Sequence, residues 1–555
     1  MKKTTATTRQ HPLGVKAVSQ LRWSGKDREV WFFLRKNHDK VSRFGLHQLR
    51  NGLAGVLLCA AVAGCHVGPA YHPPVIQPPP AFKEAPPATP PADTTQSQNN
   101  PDNVNWSVAQ PADAKIRGDW WSIFNDPELN DLESQLNIDN QNIKEYFENF
   151  MESRALVREA RAQYFPTVSF GPSYNRQRSS ANLGPTSTTA NPGKESQLYA
   201  LPLEVSWTPD LFGRIRQQVR NAQYTAQVSA ADLENERLTE QADLAEFFFE
   251  IRGQDALIQI LTQTVAADQK ALDYNQAQYD TGVGDQLSLV EARATLQSAQ
   301  SSLTNLGILR AQYEHAIAVL IGKPASGFSL PPRPVLTAPP PLPVGMPSLL
   351  LQRRPDVAAA ERTMAAANAE LGIAYTAFFP TLTLSADAGF ESYLFKHIAD
   401  WPSRFWSVGP SFSQPIFNAA LKPELHQYVA IYNADIASYR QTVLTAFQQV
   451  EDYLAQVRIL SQQIQQQRGA VASSQTALDL EMARYQTGID PYIDVVTLQN
   501  TLLTNQQQLA SLQIEQMTGA VELVEALGGG WDASQLPTPR QVTAEPSKAD
   551  TRIQQ

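Results

Sequence analysis

The side chains of this chain that could do chemistry are few, and the plainest of them is a cysteine. Only two cysteines occur in 555 residues, Cys59 and Cys65. Leu53 to Ala63 is an apolar run of signal-peptide length, too short to span a bilayer as a helix, and Arg43 and Arg50 precede it. The run ends in Val62-Ala63-Gly64-Cys65, a lipobox-like pattern in which small residues admit a peptidase and the thiol accepts diacylglycerol before cleavage. Cys65 is therefore the predicted lipidation site and mature N-terminus. Residues 1–64 are a long leader that removes Cys59, leaving no thiol for a disulfide or a metal. An ordinary cleaved signal with an incidental cysteine is the alternative. About fifty residues precede the apolar run, more than a charged n-region needs, so either translation begins later or the leader is long.

Other chemistry is scarce. The eight histidines are dispersed, none paired at metal-ligand spacing, and no phosphate-cradling glycine loop or nucleophile motif occurs. Nothing points to catalysis, a metal or a cofactor. A formal charge of -9 and a pI near 5.5, without a concentrated Lys/Arg patch, exclude nucleic acid as the partner. His66 after the cysteine, in place of Asp, favours the outer over the inner bacterial membrane.

The elements around these residues come in duplicate. Tyr279-Asp280-Thr281-Gly282-Val283-Gly284-Asp285 and Tyr485-Gln486-Thr487-Gly488-Ile489-Asp490-Pro491 share a Tyr-x-Thr-Gly frame 206 residues apart, as do Pro209 and Pro415. Phe165-Pro166-Thr167 and Phe379-Pro380-Thr381 make a third pair, 214 apart. Three collinear pairs predict two structural repeats, 119–321 and 348–530, joined by a stiff Pro-rich linker at 322–347. A Pro-rich tether at 65–118 precedes them, and a disordered tail at 531–555 follows.

Within each repeat, alternating segments give way to long stretches of helical spacing. Strands are predicted near 167–175, 199–208, 381–390 and 404–414. In Tyr199 to Trp207 the odd positions are apolar, in Thr381 to Phe390 the even ones, and Trp406, Val408, Pro410 and Phe412 share one face. Nine to eleven alternating residues suit a tilted strand crossing a bilayer, and Tyr199, Trp207, Phe390 and Trp406 lie near the ends, where aromatic belts sit. Four strands cannot close a barrel, and an open edge in lipid leaves unpaired backbone groups. The chain must therefore oligomerise, three copies giving twelve strands.

The helices follow. Leu425, Val429, Tyr432, Ile436, Tyr439, Val443, Phe447, Val450, Leu454 and Val457 step by three or four residues, and the seam continues to Tyr485. A helix of about seventy residues is about 100 Å long at 1.5 Å per residue. The turns at Gly282, Gly284 and Asp285, and at Gly488, are the predicted helix-hairpin tips. Thr208 and Pro209 are expected to start the first long helix and Pro415 the second.

With Trp207-Thr208-Pro209-Asp210-Leu211-Phe212-Gly213, Arg353-Arg354-Pro355-Asp356, Ala377-Phe378-Phe379-Pro380 and Ala526-Leu527-Gly528-Gly529-Gly530-Trp531, residues Trp120 to Trp531 resemble the TolC-type outer-membrane efflux proteins, closest to the lipoprotein branch serving RND pumps. The resemblance implies a mainly α fold with membrane β: a homotrimer sharing a 12-stranded β-barrel, continued by a periplasmic α-helical barrel. It implies a passive exit duct for drugs or other small toxic molecules, not an enzyme, with a periplasmic adaptor and an inner-membrane RND pump as partners. It also implies an entrance ringed by acidic residues: Asp490 and Asp494, with Tyr485 beside them. No basic residue lies between Tyr485 and Asp494, so the Arg-mediated lock of TolC is not carried over, and Thr497 replaces a later acidic position. A duct for ABC-driven protein secretion and a non-conducting envelope lipoprotein are the alternatives.

Overall fold

A computed structural model describes residues 67–545, except 75–77, 80, 85–117, 179, 181, 183–193, 335–337 and 343–346. All of these belong to the compact unit that begins at Val67. Cys65 and residues 1–64 lie outside the described residues.

The duplication appears as element order. The first half runs α1 (Pro127–Asp139), α2 (Gln141–Ala162), β1 (Thr167–Phe170), β2 (Ser173–Arg178), β3 (Glu195–Trp207), α3 (Arg214–Asp280) and α4 (Gln286–Leu320). The second runs α5 (Pro347–Arg353), α6 (Pro355–Thr376), β4 (Thr381–Ser392), β5 (Arg404–Ser413), α7 (Leu421–Gln486) and α8 (Tyr492–Ala526). At 67 and 66 residues, α3 and α7 are each about 100 Å long.

The strands form one antiparallel sheet in the order β1-β3-β4-β5. β2 continues β1 along β3 after a break at Gly171-Pro172, where proline has no N–H to give the ladder. Register aligns the apolar residues into rows: Phe170, Leu203, Ala388, Trp406 in one and Val168, Val205, Ala386, Val408 in the next. The other face carries Ser206 opposite Ser385 and Glu204 opposite Asp387, and Asp387 accepts a bond from Ser407 at 3.1 Å. The apolar face is uncovered, Trp406 being 75% exposed and Phe412 67%. β5 and the β1/β2 strand are the sheet's two edges, each pairing on one side within the chain.

Both long helices begin later than their prolines suggest. Gly213, at φ 86°, caps α3, and Asp210 reaches past it to accept from Ile215 N at 3.2 Å and Arg216 N at 2.9 Å. Thr208 bonds sideways to Thr383 instead of capping. In the second copy β5 ends at Ser413 and α7 starts at Leu421, so Pro415 lies in the connection and Pro423 in the first turn of the helix.

Halfway along the long helices the layers thicken into the main core, where Leu129, Leu136, Leu244, Phe248, Ile317, Met364, Val450 and Leu523 are fully buried. An ionic knot fastens the Pro-rich linker there. Arg252 reaches Glu128 at 2.5 Å, Asp255 at 3.3 Å and the Pro331 carbonyl at 2.9 Å. Arg310 meets Asp255 at 2.7 Å, and the backbone N–H of Arg333 donates to the same carboxylate at 2.7 Å. The Arg354-Pro355-Asp356 segment is structural, as its sequence suggests: Pro355 opens α6, Asp356 accepts from Val357 N, and Arg354 donates to the Ala526 carbonyl at 3.1 Å.

Two expectations need correction. The described part of the tether is fastened to the body: Tyr71 bonds Glu361, Phe82 is buried, and Glu84 pairs with Arg458 at 2.5 Å. The C-terminal segment is not wholly disordered either. α9 (Pro539–Thr543) opens with a capping box at Thr538 and buries Val542 against Val157 and Ala226. Arg154 bonds the Ala544 carbonyl at 3.0 Å.

Candidate functional site at the helix tips

The two hairpin tips are built alike, and glycine is the reason. Gly282 (φ 78°) and Gly488 (φ 75°) sit in the left-handed region just past α3 and α7, where a Cβ would be strained. Gly282 N donates to the Tyr279 carbonyl at 2.9 Å and Val283 N to that of Gln278 at 3.0 Å. In the second copy Gly488 N donates to the Tyr485 carbonyl at 2.9 Å and Ile489 N to that of Arg484 at 3.0 Å. Gly284 serves close approach, since a Cβ there would lie 2.8 Å from Gln278 Cβ. Asp285 caps α4 by accepting from Ser288 N at 2.9 Å, and this bonding holds its carboxyl below the usual range.

Tyr485 joins the tips to each other. Its hydroxyl donates to Asn275 Oδ1 at 2.9 Å and lies 3.2 Å from Gln278 Oε1, both on α3. Its ring packs between Tyr274 and Tyr492, at 6.0 and 5.3 Å between centroids. Burial pushes its hydroxyl pKa up.

Asp490 and Asp494 are not equivalent. Asp490 is bonded twice to Arg484, which lies one residue before the segment in which sequence reading found no basic partner. Bonds from Arg484 hold the Asp490 carboxyl below its ordinary value. Burial and then the neighbouring Asp490 push Glu481 up. Asp494, in the first turn of α8, is exposed, and its backbone N–H bonds the Pro491 carbonyl at 3.2 Å. The structure thus gathers Glu481, Arg484 and Asp490 at the end of α7. Glu481 and Arg484 carry no motif, and the one available signal was their helical i, i+3 spacing.

Around these charges the tips expose apolar side chains: Val283 and Leu287 on one hairpin, Ile489 and Ile493 on the other. Among the described residues no group of His, Cys, Asp and Glu could hold a metal, and no helix is long and apolar enough to cross a membrane. The arrangement offers charge pairing and apolar contact, the means of holding and docking.

Comparison with known proteins points the same way. A "Probable efflux pump outer membrane protein TtgC" of Pseudomonas putida is 32% identical over 453 residues, 81% of this chain and 93% of that protein. The "Toluene efflux pump outer membrane protein TtgF" of Pseudomonas putida is 32% identical over 426 residues, 76% of this chain and 87% of that one. Among solved structures, the outer-membrane channel OprN superposes with a TM-score of 0.72 at 27% identity, covering 84% of this chain and 100% of the other. The profile of the outer membrane efflux proteins matches residues 132–323 and 346–529, the two repeats on either side of the linker, and the chain belongs to that family.

Proposed function

We propose that three copies of this chain form a passive duct across the outer membrane, through which drugs or other small toxic molecules leave an RND-type efflux system. The observation that carries this reading is the sheet: its apolar face is uncovered and both edges are open. Open edges are untenable in lipid, and joining β5 of one copy to β1/β2 of the next closes a twelve-stranded wall. The opposite face, with Glu204 and Asp387, then lines a wet interior. Its helices carry the wall on as a periplasmic tube.

The tips are the entrance in this reading. Arg484–Asp490, Asp494 and Tyr485 hold it narrow, and Val283, Leu287, Ile489 and Ile493 offer apolar contacts to a periplasmic adaptor. Energy comes from the inner-membrane pump. Lipidation of Cys65 would add an anchor in the outer membrane.

Planar-bilayer recording of the purified protein tests the proposal. Openings with conductance of a water-filled pore are expected, and their absence under every condition overturns a duct in favour of a structural lipoprotein. Drug accumulation in a deletion strain, set beside secretion of a large protein, separates efflux from polypeptide export.

A further inference from the structure

The outer rim of the sheet has a chemistry of its own, whose location in the membrane rests on the reading of that sheet as one wall of a barrel. α2, α3, α6 and α7 all join the strands at one end, so the β2–β3 and β4–β5 connections lie at the other, facing outward. At that end the lipid-facing side finishes in aromatic rings. Tyr174 lies against Tyr199 with 4.7 Å between centroids, and Phe395 packs on Tyr199 at 5.4 Å.

One strand departs from this belt. Beyond Trp406 on the same face of β5 comes Arg404, opposite Phe390. Its guanidinium lies 4.3 Å from the centroid of the Trp401 ring, and both residues are exposed. Arg176, on the same face of the sheet, is matched by Glu195 at 2.5 Å. Arg404 has no such carboxylate among the described residues, because Asp400 is engaged by His397 Nδ1 at 2.7 Å.

Depth makes the unmatched charge informative. Phe412 to Arg404 is about 27 Å along the strand at about 3.4 Å per residue, or about 20 Å of membrane depth at the usual tilt. The guanidinium therefore stands at the top of an apolar band about 25 Å tall, at headgroup level. The planar guanidinium fork fits two phosphate oxygens. The Trp401 ring beneath it suits acyl chain and sugar.

We infer that Arg404 and Trp401 form a docking site for the phosphate groups of lipid A in the outer leaflet. The guanidinium takes the phosphate in two parallel bonds and the indole packs against the glucosamine and its acyl chain.

Native mass spectrometry of full-length protein extracted from outer membranes tests this, with bisphosphorylated lipid A, dephosphorylated lipid A and phosphatidylglycerol added in turn. Wild type should retain bisphosphorylated lipid A at least tenfold better than the other two. Arg404→Gln and Trp401→Ala should lose that preference, and Arg404→Lys, which keeps charge without the fork, should fall between wild type and Arg404→Gln. Equal retention by wild type and Arg404→Gln, or equal retention of phosphatidylglycerol, would overturn the site. Recovery of each variant as an oligomer from outer membranes is scored separately. Failure of wild type on that score would count against the barrel, whereas a correctly inserted wild type without lipid preference counts against the site alone.

Discussion

Arg484 and Asp490 form a doubly bonded ion pair across the Gly488 turn, with Nη2 at 3.0 Å from Oδ1. The pair closes the end of α7 over the start of α8 and compensates a carboxylate that stands unmatched in the sequence. Water screens an exposed pair, so either partner can be removed without unfolding the hairpin. Arg484→Ala and Asp490→Ala should raise leak conductance in bilayers to the same extent, and the double variant no further, because the two side chains act as one unit. Asp494→Ala should add to either. Unchanged conductance in Asp490→Ala/Asp494→Ala would remove both aspartates from the entrance.

Tyr485 restrains the tips from within the layer. Tyr485→Phe keeps the ring contacts with Tyr274 and Tyr492 but deletes the bonds to Asn275 and Gln278. About 1 kcal/mol of restraint between α3 and α7 should be lost, which corresponds to a roughly fivefold higher open-to-closed ratio in single-channel records. Wild-type gating in this variant would mean that the hydroxyl does not hold the tips.

Much of the fold and part of the helix tips were legible in the residues, for a physical reason in each case. Period-two alternation located β3, β4 and β5 because one face meets lipid and the other does not. The tips were legible because a left-handed residue after a long helix calls for glycine, as at Gly282 and Gly488. The partner of Asp490 was not, since Arg484 lies on the far side of the turn and approaches only once the chain has folded back. The helix starts were misplaced because Asp210 caps across Gly213, five and six residues ahead, instead of at the proline. The docked tail was missed because Trp531 and Val542 are the buried apolar side chains among its described residues, too sparse a pattern to outweigh polar composition.

The ionic knot under the linker should be intolerant of partial removal. Asp255 has a side chain 1% exposed and serves both Arg252 and Arg310. Asp255→Ala leaves two guanidinium groups short of charge in the core and should cost about 3–5 kcal/mol, read as a clear fall in thermal midpoint. Asp255→Asn, which keeps one acceptor oxygen, should cost less. Equal midpoints for Asp255→Ala and wild type would contradict the burial of this knot.

Stability should also depend on pH through carboxyls crowded between α3 and α8. Burial first, then Glu522, Asp243, Glu525 and Glu250, push Glu246 up to about 8; burial pushes Glu525 to about 7, with Arg354 opposing. Both stand above the roughly 4.3 of an unfolded glutamate. Their contribution is therefore complete below about pH 4 and is lost as pH rises through about 7 to 8. The thermal midpoint should be higher at pH 6 than at pH 9, and Glu246→Gln should flatten that difference. A midpoint that rises with pH over this range would contradict the assignment.

A single chain supplies an incomplete wall, and sibling chains must complete it for any duct to exist. Native mass spectrometry of the detergent-extracted, full-length protein weighs the assembly directly. A mass of three chains is predicted, persisting when the lipid anchor is abolished by Cys65→Ala, since strand pairing and not lipidation closes the barrel. A stable single chain, with β5 and β1/β2 left unpaired, would contradict it.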